Sequence, residues 1–413
     1  MTNPSWVSQI DLNALLEQFG SPLYVYNFSQ IRQTWQRLSA ALHPAIQLYY
    51  AVKANPNLEI VREFVNAGAG FDVSSGGELE LVLAKGGNPA QISFAGPGKT
   101  RAELQAAVHA GVKFLSVEAI SELADIEQIA REFGRPASIM LRVNPRYRIK
   151  GFQIKMGGAP SPFGIDEEQL NDVLPSVLKS KYLKLKGLHV YAGTQLLDEN
   201  AIVENTQKIL EMAENYNRAF RCEFGYINIG GGWGVPYHQK DGPLAEERLI
   251  SLLNERVAEF SVGFPRTKLI LELGRYLVGN AGVYVTTVVR VKKSRGVNYL
   301  ILDGGMNHYL AASGNFGQVL RKNFPISRVD SPPQTAAGER YHIVGPLCTP
   351  IDRMGSNVNL PQTREGDLVV FPQAGAYAYT ASPLQFLGHP APAEAAIDGD
   401  KIFQIRERIE KWA

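Results

Sequence analysis

The chain has 413 residues, 45% hydrophobic and 20% charged, a balance that fits a folded enzyme and excludes a disordered chain. Its 42 Lys and Arg against 40 Asp and Glu leave a formal charge of +2, which gives no electrostatic reason to expect nucleic acid or an anionic membrane as partner. With two cysteines (Cys222 and Cys348), no basic-then-apolar start at Met1–Trp6 and no apolar run of bilayer length, disulfide scaffolds, Cys-rich zinc sites, secretion and membrane insertion drop out, and a cytoplasmic protein is expected.

In chain order, Met1–Ser21 begins outside the pattern that follows. From Ile46 short β-rich runs alternate with amphipathic helical runs. The β runs are Ile46–Ala54, Gly70–Ser75, Ile92–Pro97, Lys113–Ala119, Ser138–Pro145, Leu185–Thr194, Tyr226–Gly232 and Lys268–Arg275. Helical stretches between them include Glu78–Lys85, Arg101–Ala110, Ile120–Phe133, Asn200–Ala219 and Ala245–Phe260. The runs are apolar on both faces, as parallel strands covered by helices are. Eight such units predict an α/β fold of the TIM (β/α)8 type, with a doubly wound open sheet as the alternative. Beyond Arg275, Ala281–Val291, Tyr299–Asp303, Arg340–Val344, Asp367–Phe371 and Lys401–Ile405 read as strands of a β-rich domain. Ser327–Gly338, with two adjacent prolines, reads as a surface loop. The expected division is 1–30 as an N-terminal segment packing with the β-domain, 31–275 as the barrel and 276–413 as the C-terminal β-rich domain.

Functional residues of such barrels lie at the C-terminal strand ends. That rule selects Lys53, Asp72, the Ala95–Gly98 turn, Arg142, His189–Thr194, Gly230–Gly232 and Glu272. A lysine ending a buried strand is desolvated, which suits attack on an aldehyde; alternatively it snorkels to the surface. Gly230-Gly231-Gly232 either lets backbone N–H groups approach a phosphate or makes a plain tight turn. Glu272 either faces a pyridine nitrogen or pairs with Arg275 on the barrel rim.

The Lys53 segment, Phe71–Glu78, the glycine triplet, Glu272…Arg275, Gly345-Pro346-Leu347-Cys348 and Gly375-Ala376-Tyr377 occur in one order over nearly the whole chain. Together they resemble the fold-type III decarboxylases that use pyridoxal 5′-phosphate, the family of diaminopimelate and ornithine decarboxylases. The resemblance implies a homodimer with shared active sites. It implies Lys53 as the Schiff-base lysine and Glu272 as the pyridinium partner. Gly230, Gly231, Gly232, Thr194, Arg275 and Tyr377 would lie near the phosphate, and Asp72 and Glu78 in the lysine's network. Cys348, from the neighbouring subunit, would protonate the α-carbon; a free cysteine is otherwise an inert filler.

Three departures bear on the substrate. Tyr191 stands where the family usually stacks a histidine on the cofactor ring, and tyrosine can stack too. Thr349 follows Cys348 where an acidic residue pairs with the distal ammonium; Asp352 could replace it through a shifted loop. Ala311 stands where diaminopimelate decarboxylases carry an arginine for the distal carboxylate. Thr349 and Asp352 are therefore the substrate-side candidates, and a substrate with a neutral or conjugated far end fits best, since an unpaired buried ammonium is costly. The runs Ile154–Gly158, His189-Val190-Tyr191 and Pro346–Pro350 resemble the branch acting on a glutamyl group tethered to an acyl carrier protein in butirosin biosynthesis. That makes an acyl carrier protein the expected partner. The rivals are meso-diaminopimelate decarboxylation, a siderophore-type conjugate as substrate, and a non-catalytic pyridoxal phosphate-binding protein. No metal is expected.

Overall fold

The computed structural model describes residues 4–151, 154–155, 157–238, 241–316, 318, 321–329 and 338–411. Met156, in one of the runs singled out above, and residues 330–337 of the Ser327–Gly338 loop lie outside the described residues. The described start of that loop is a short strand, Ser327–Arg328, paired with Val369 and Val370.

Eight parallel strands close into a barrel: β1 (Ile46–Ala51), β2 (Gly70–Val73), β3 (Ile92–Phe94), β4 (Phe114–Val117), β5 (Ala137–Asn144), β6 (Leu183–His189), β7 (Tyr226–Gly231) and β8 (Lys268–Leu273). Each pairs with its chain neighbour, and β8 returns to β1 with Leu269 opposite Ile46 and Glu272 opposite Tyr49. The ring has no free edge, so the open-sheet alternative is excluded. Helices start where the sequence offers caps. Thr100 and Glu103 form a reciprocal capping box on Arg101–Ala110, and Gly111, at φ +75°, ends it. Asp198 caps the long helix Glu199–Phe220. Inside the barrel Tyr49, Phe114, Met140 and Ile270 pack with Tyr226 into an apolar plug.

The chain forms two compact units. One holds Thr34–Gly234 and Pro243–Gly274, the barrel; the other holds the described residues of Met1–Gln33, Val235–Gly242 and Arg275–Ala413. In the second unit the sheet runs Arg353–Leu360, Glu339–Val344, Val297–Leu302, Gly282–Ser294, Leu23–Asn27, Ala393–Asp398, Lys401–Arg406, and Leu368–Pro372 also pairs with Gly282–Ser294. Trp6, Val7, Leu12 and Leu15 pack against Val25, Val283, Val285, Val370 and Ala395 of this sheet. Leu23–Asn27, Arg353–Leu360 and Ala393–Asp398 are strands that the sequence reading does not contain. The last is alanine-rich and lacks the usual β-branched signal. It is held instead by burial between two neighbours and by Glu394, which is fully buried and accepts from Tyr26 Oη at 2.6 Å and from Arg406.

Among the described residues no helix is long and apolar enough to cross a membrane.

Candidate active site

Buried polar residues stand near the C-terminal ends of the barrel strands: Asp72, Ser93, Ser116, Arg142, His189, Asn228 and Glu272. Lys53 does not end its strand. β1 stops at Ala51, and Val52–Ala54 turn as a short 3-10 helix closed by Asn55 N–H donating to Val52 O. The turn carries Lys53 off the buried strand, and its side chain keeps 37% exposure. The expectation of a desolvated lysine is corrected accordingly. Its Nζ instead donates to Asp72 Oδ2 at 2.8 Å and stands 5.8 Å from the Tyr191 ring centre.

Asp72 is fully buried. Desolvation, then the charge of Glu272, push its carboxyl up, against the pull of Lys53. Moving one proton from Nζ to Oδ2 would leave a neutral amine beside a neutral acid, so the pair can free the lysine's lone pair without stranding a buried charge. Glu78 accepts from Ser74 N–H at 2.7 Å, and burial raises it to about 7, with Asp72 adding to the rise.

Glu78 sets a pH dependence that can be measured. The folded protein holds this proton more tightly than the unfolded chain. Stability from this group is therefore full below the unfolded value near 4.5, falls as pH rises to about 7 and is flat above. In the cofactor-free protein Glu78→Gln is expected to remove a fall of roughly 1–3 kcal/mol over that window, read from denaturant midpoints at pH 5 and pH 8. Identical slopes in both proteins would rule the assignment out.

Glu272, 3% exposed, has a partner on each oxygen. Asn228 Nδ2 donates to Oε1, and His189 Nε2 lies 3.5 Å from Oε2. Burial alone would raise this carboxyl; His189, Lys53 and the Asn228 hydrogen bond outweigh it and hold it at about 2. Asn228 is itself oriented, since its Oδ1 accepts from Gly230 N–H at 2.9 Å. The register of β7 on β8 slips between Asn228 and Gly231, so the strand bulges where the glycines begin. Gly230 and Gly232 have φ of +67° and +84°, and a Cβ on Gly231 would lie 1.8 Å from Glu272 O. Only glycine fits there, which leaves backbone uncovered at the barrel mouth, the cradle a phosphate needs. Thr194 pairs with Ile154 in a two-residue ladder after β6. Tyr191 lies 5.9 Å from the guanidinium of Arg142, which is buried and paired with Glu118 at 2.6 Å.

Arg275, Tyr377, Cys348, Thr349 and Asp352 belong to the other unit. Arg275 donates to Tyr237 Oη at 3.0 Å and lies 4.5 Å from the Tyr377 ring centre. Tyr377 has φ +52°, rare for an aromatic residue and typical of functional strain. Cys348 is a free, exposed thiol and Thr349 is half-buried. Asp352 is engaged by backbone. It is 2% exposed, and its two oxygens accept from Met306 N–H at 2.7 Å and Leu347 N–H at 2.9 Å. Gly305 and Gly345 pack directly on the carboxylate. It clamps two backbone segments.

The sequence reading leaves Ser116 and Asn228 out of the site and gives His189 no role. A signal was present: each is a polar residue near the C-terminal end of a barrel strand.

Comparison with known proteins agrees with this geometry. Residues 28–279 match the family described as "Pyridoxal-dependent decarboxylase, pyridoxal binding domain". The L-glutamyl-[BtrI acyl-carrier protein] decarboxylase of Niallia circulans is 38% identical over 94% of this chain and 91% of its own. A diaminopimelate decarboxylase of Neisseria meningitidis is 34% identical over 97% and 95%. The crystal structure of diaminopimelate decarboxylase from Helicobacter pylori complexed with L-lysine superposes with a TM-score of 0.86, 28% identity and 97% coverage of both chains.

Proposed function

The chain belongs to the pyridoxal-dependent decarboxylases, and from that premise we propose that it decarboxylates a glutamyl-like amino acid conjugated at its far end to an acyl carrier protein. It is a pyridoxal 5′-phosphate enzyme, and the residues at the barrel mouth fit that cofactor. Lys53 is the amine that anchors it, Glu272 the carboxylate for its ring nitrogen, Gly230–Gly232 and Thr194 the phosphate cradle, and Tyr191 the stacking face. When bound, the cofactor's protonated pyridine ring accepts the electron pair released as the carbon–carboxylate bond breaks. The chain's own residues do the rest. Glu272 stays ionised between Asn228 and His189. Asp72 takes and returns the Lys53 proton. Arg275 and Tyr377 are assigned to the phosphate by family resemblance. Cys348, supplied by a second copy in a cytoplasmic homodimer, is read as the donor of the proton that replaces CO2.

The observation that carries the substrate reading is the engagement of Asp352. With both oxygens of Asp352 taken up by backbone and a threonine at 349, neither of these two positions offers a carboxylate to a free distal ammonium. The relative acting on a carrier-bound glutamyl group supports the same reading. Similarity to diaminopimelate decarboxylases supports the second reading, free meso-diaminopimelate, against which Ala311 also counts. The test is CO2 release from glutamyl-carrier protein, free glutamate, meso-diaminopimelate and L-ornithine. The conjugate is expected to lead in kcat/KM by at least about a hundredfold. Rapid release from a free diamino acid, with none from the conjugate, overturns the proposal.

A further inference from the structure

Asp72 and Glu272 are both carboxylates buried at the barrel mouth, and they are served differently. Asp72 has Lys53. Among the described residues Glu272 has no lysine or arginine in hydrogen-bond contact; its ionisable partner there is His189, 1% exposed at the last residue of β6. The imidazole cannot swing away, because Nδ1 lies 2.7 Å from Ser116 Oγ on β4, across the barrel interior. With Ser116 accepting from Nδ1–H, Nε2 faces Glu272 Oε2. The order serine–imidazole–carboxylate matches that of a hydrolytic triad, but here the serine is wholly buried and cannot be a nucleophile. Its job is to hold the ring.

We propose that Ser116 and His189 form a relay to Glu272: Ser116 holds the imidazole at Nδ1 so that Nε2 faces Oε2, and His189 thereby sets how strongly that carboxylate holds the cofactor's ring nitrogen in its protonated form. His189 is thus a positioning residue that acts through Glu272 and not on the substrate. The inference rests on the assignment of Glu272 to the ring nitrogen.

The holoenzyme variants H189N, S116A, E272Q and H189N/E272Q separate the possibilities. Two quantities are read: the dissociation constant for pyridoxal 5′-phosphate and the pH midpoint of the bound cofactor's visible absorbance. H189N keeps an amide donor but removes the imidazole. It is expected to weaken cofactor binding about tenfold and to move the absorbance midpoint in the same direction as E272Q. S116A should give a smaller shift of the same sign, and H189N should add nothing in the E272Q background. A packing role would lower the melting temperature without moving the absorbance midpoint. If E272Q moves that midpoint and H189N does not, the relay is wrong while the Glu272 assignment stands. If E272Q itself changes neither quantity, the underlying assignment fails and the relay with it. Should H189N not fold, S116A and H189Q carry the same comparison.

Discussion

Replacing Lys53 with alanine should reduce CO2 release by more than about a thousandfold and abolish the borohydride-sensitive visible band of the bound cofactor. The amine has two connections. One is the aldehyde that it is proposed to anchor, and the other is Asp72, 2.8 Å away. Alanine removes both, so a second variant is needed to divide the loss. Arginine keeps a cation for Asp72 but offers no nucleophilic amine. Lys53→Arg should therefore be as inactive as Lys53→Ala while retaining more of its stability, since Asp72 would otherwise be buried without its partner. The side chain's partial exposure argues against a large folding defect in either variant. Retention of full gas evolution by Lys53→Ala would falsify the assignment of this chain's chemistry to that amine.

The second large effect is structural in origin. Gly231→Ala places a methyl group 1.8 Å from Glu272 O and 2.8 Å from its carbonyl carbon. The obstacle is the backbone of the adjacent strand, so no rotamer change relieves it. Either β7 and β8 part at their last paired residues or the bulge is rebuilt, and each displaces Glu272 from Asn228 and His189. The expected cost is on the order of 3 kcal/mol or more, together with loss of most cofactor occupancy. Gly242→Ala is the control: a Cβ there meets nothing within 4 Å, and its effect should stay within about 0.5 kcal/mol. Similar denaturation midpoints for the two variants would mean that the glycine triplet is an ordinary turn.

The barrel was legible because most of its strands are short apolar runs bounded by turn residues and followed by helices, several of them capped by a side chain. The strand ends were legible to within a few residues, and that margin mattered at Lys53. Nothing in Tyr50-Ala51-Val52-Lys53 announces that the strand stops two residues before the lysine. The order of the site's parts was legible too, but partnership was not. Glu272 next to Arg275 in sequence suggests a rim ion pair, whereas the carboxylate's partners come from β6 and β7, and those pairings exist only once the barrel has closed. Asp352 shows the same limit. Its neighbours in sequence suggest an acid near the substrate, while its hydrogen-bond partners, one of them 46 residues away, make it a clamp. Ala393–Asp398 was hidden for another reason, since alanine carries no β signal and the strand is set by what surrounds it.

The placement of Leu23–Asn27 between Gly282–Ser294 and Ala393–Asp398 has a consequence for biogenesis. One neighbour is made roughly 260 residues later and the other roughly 370 later, with the whole barrel translated in between. During synthesis this early segment has nothing to pair with and exposes Leu23, Val25 and their flanking apolar residues to the ribosome exit environment. The β-rich unit can therefore assemble only after Ala393–Asp398 has been made. A nascent chain stalled just past Arg275 would present an unsatisfied strand at its beginning, the state in which a holdase chaperone has most to grip.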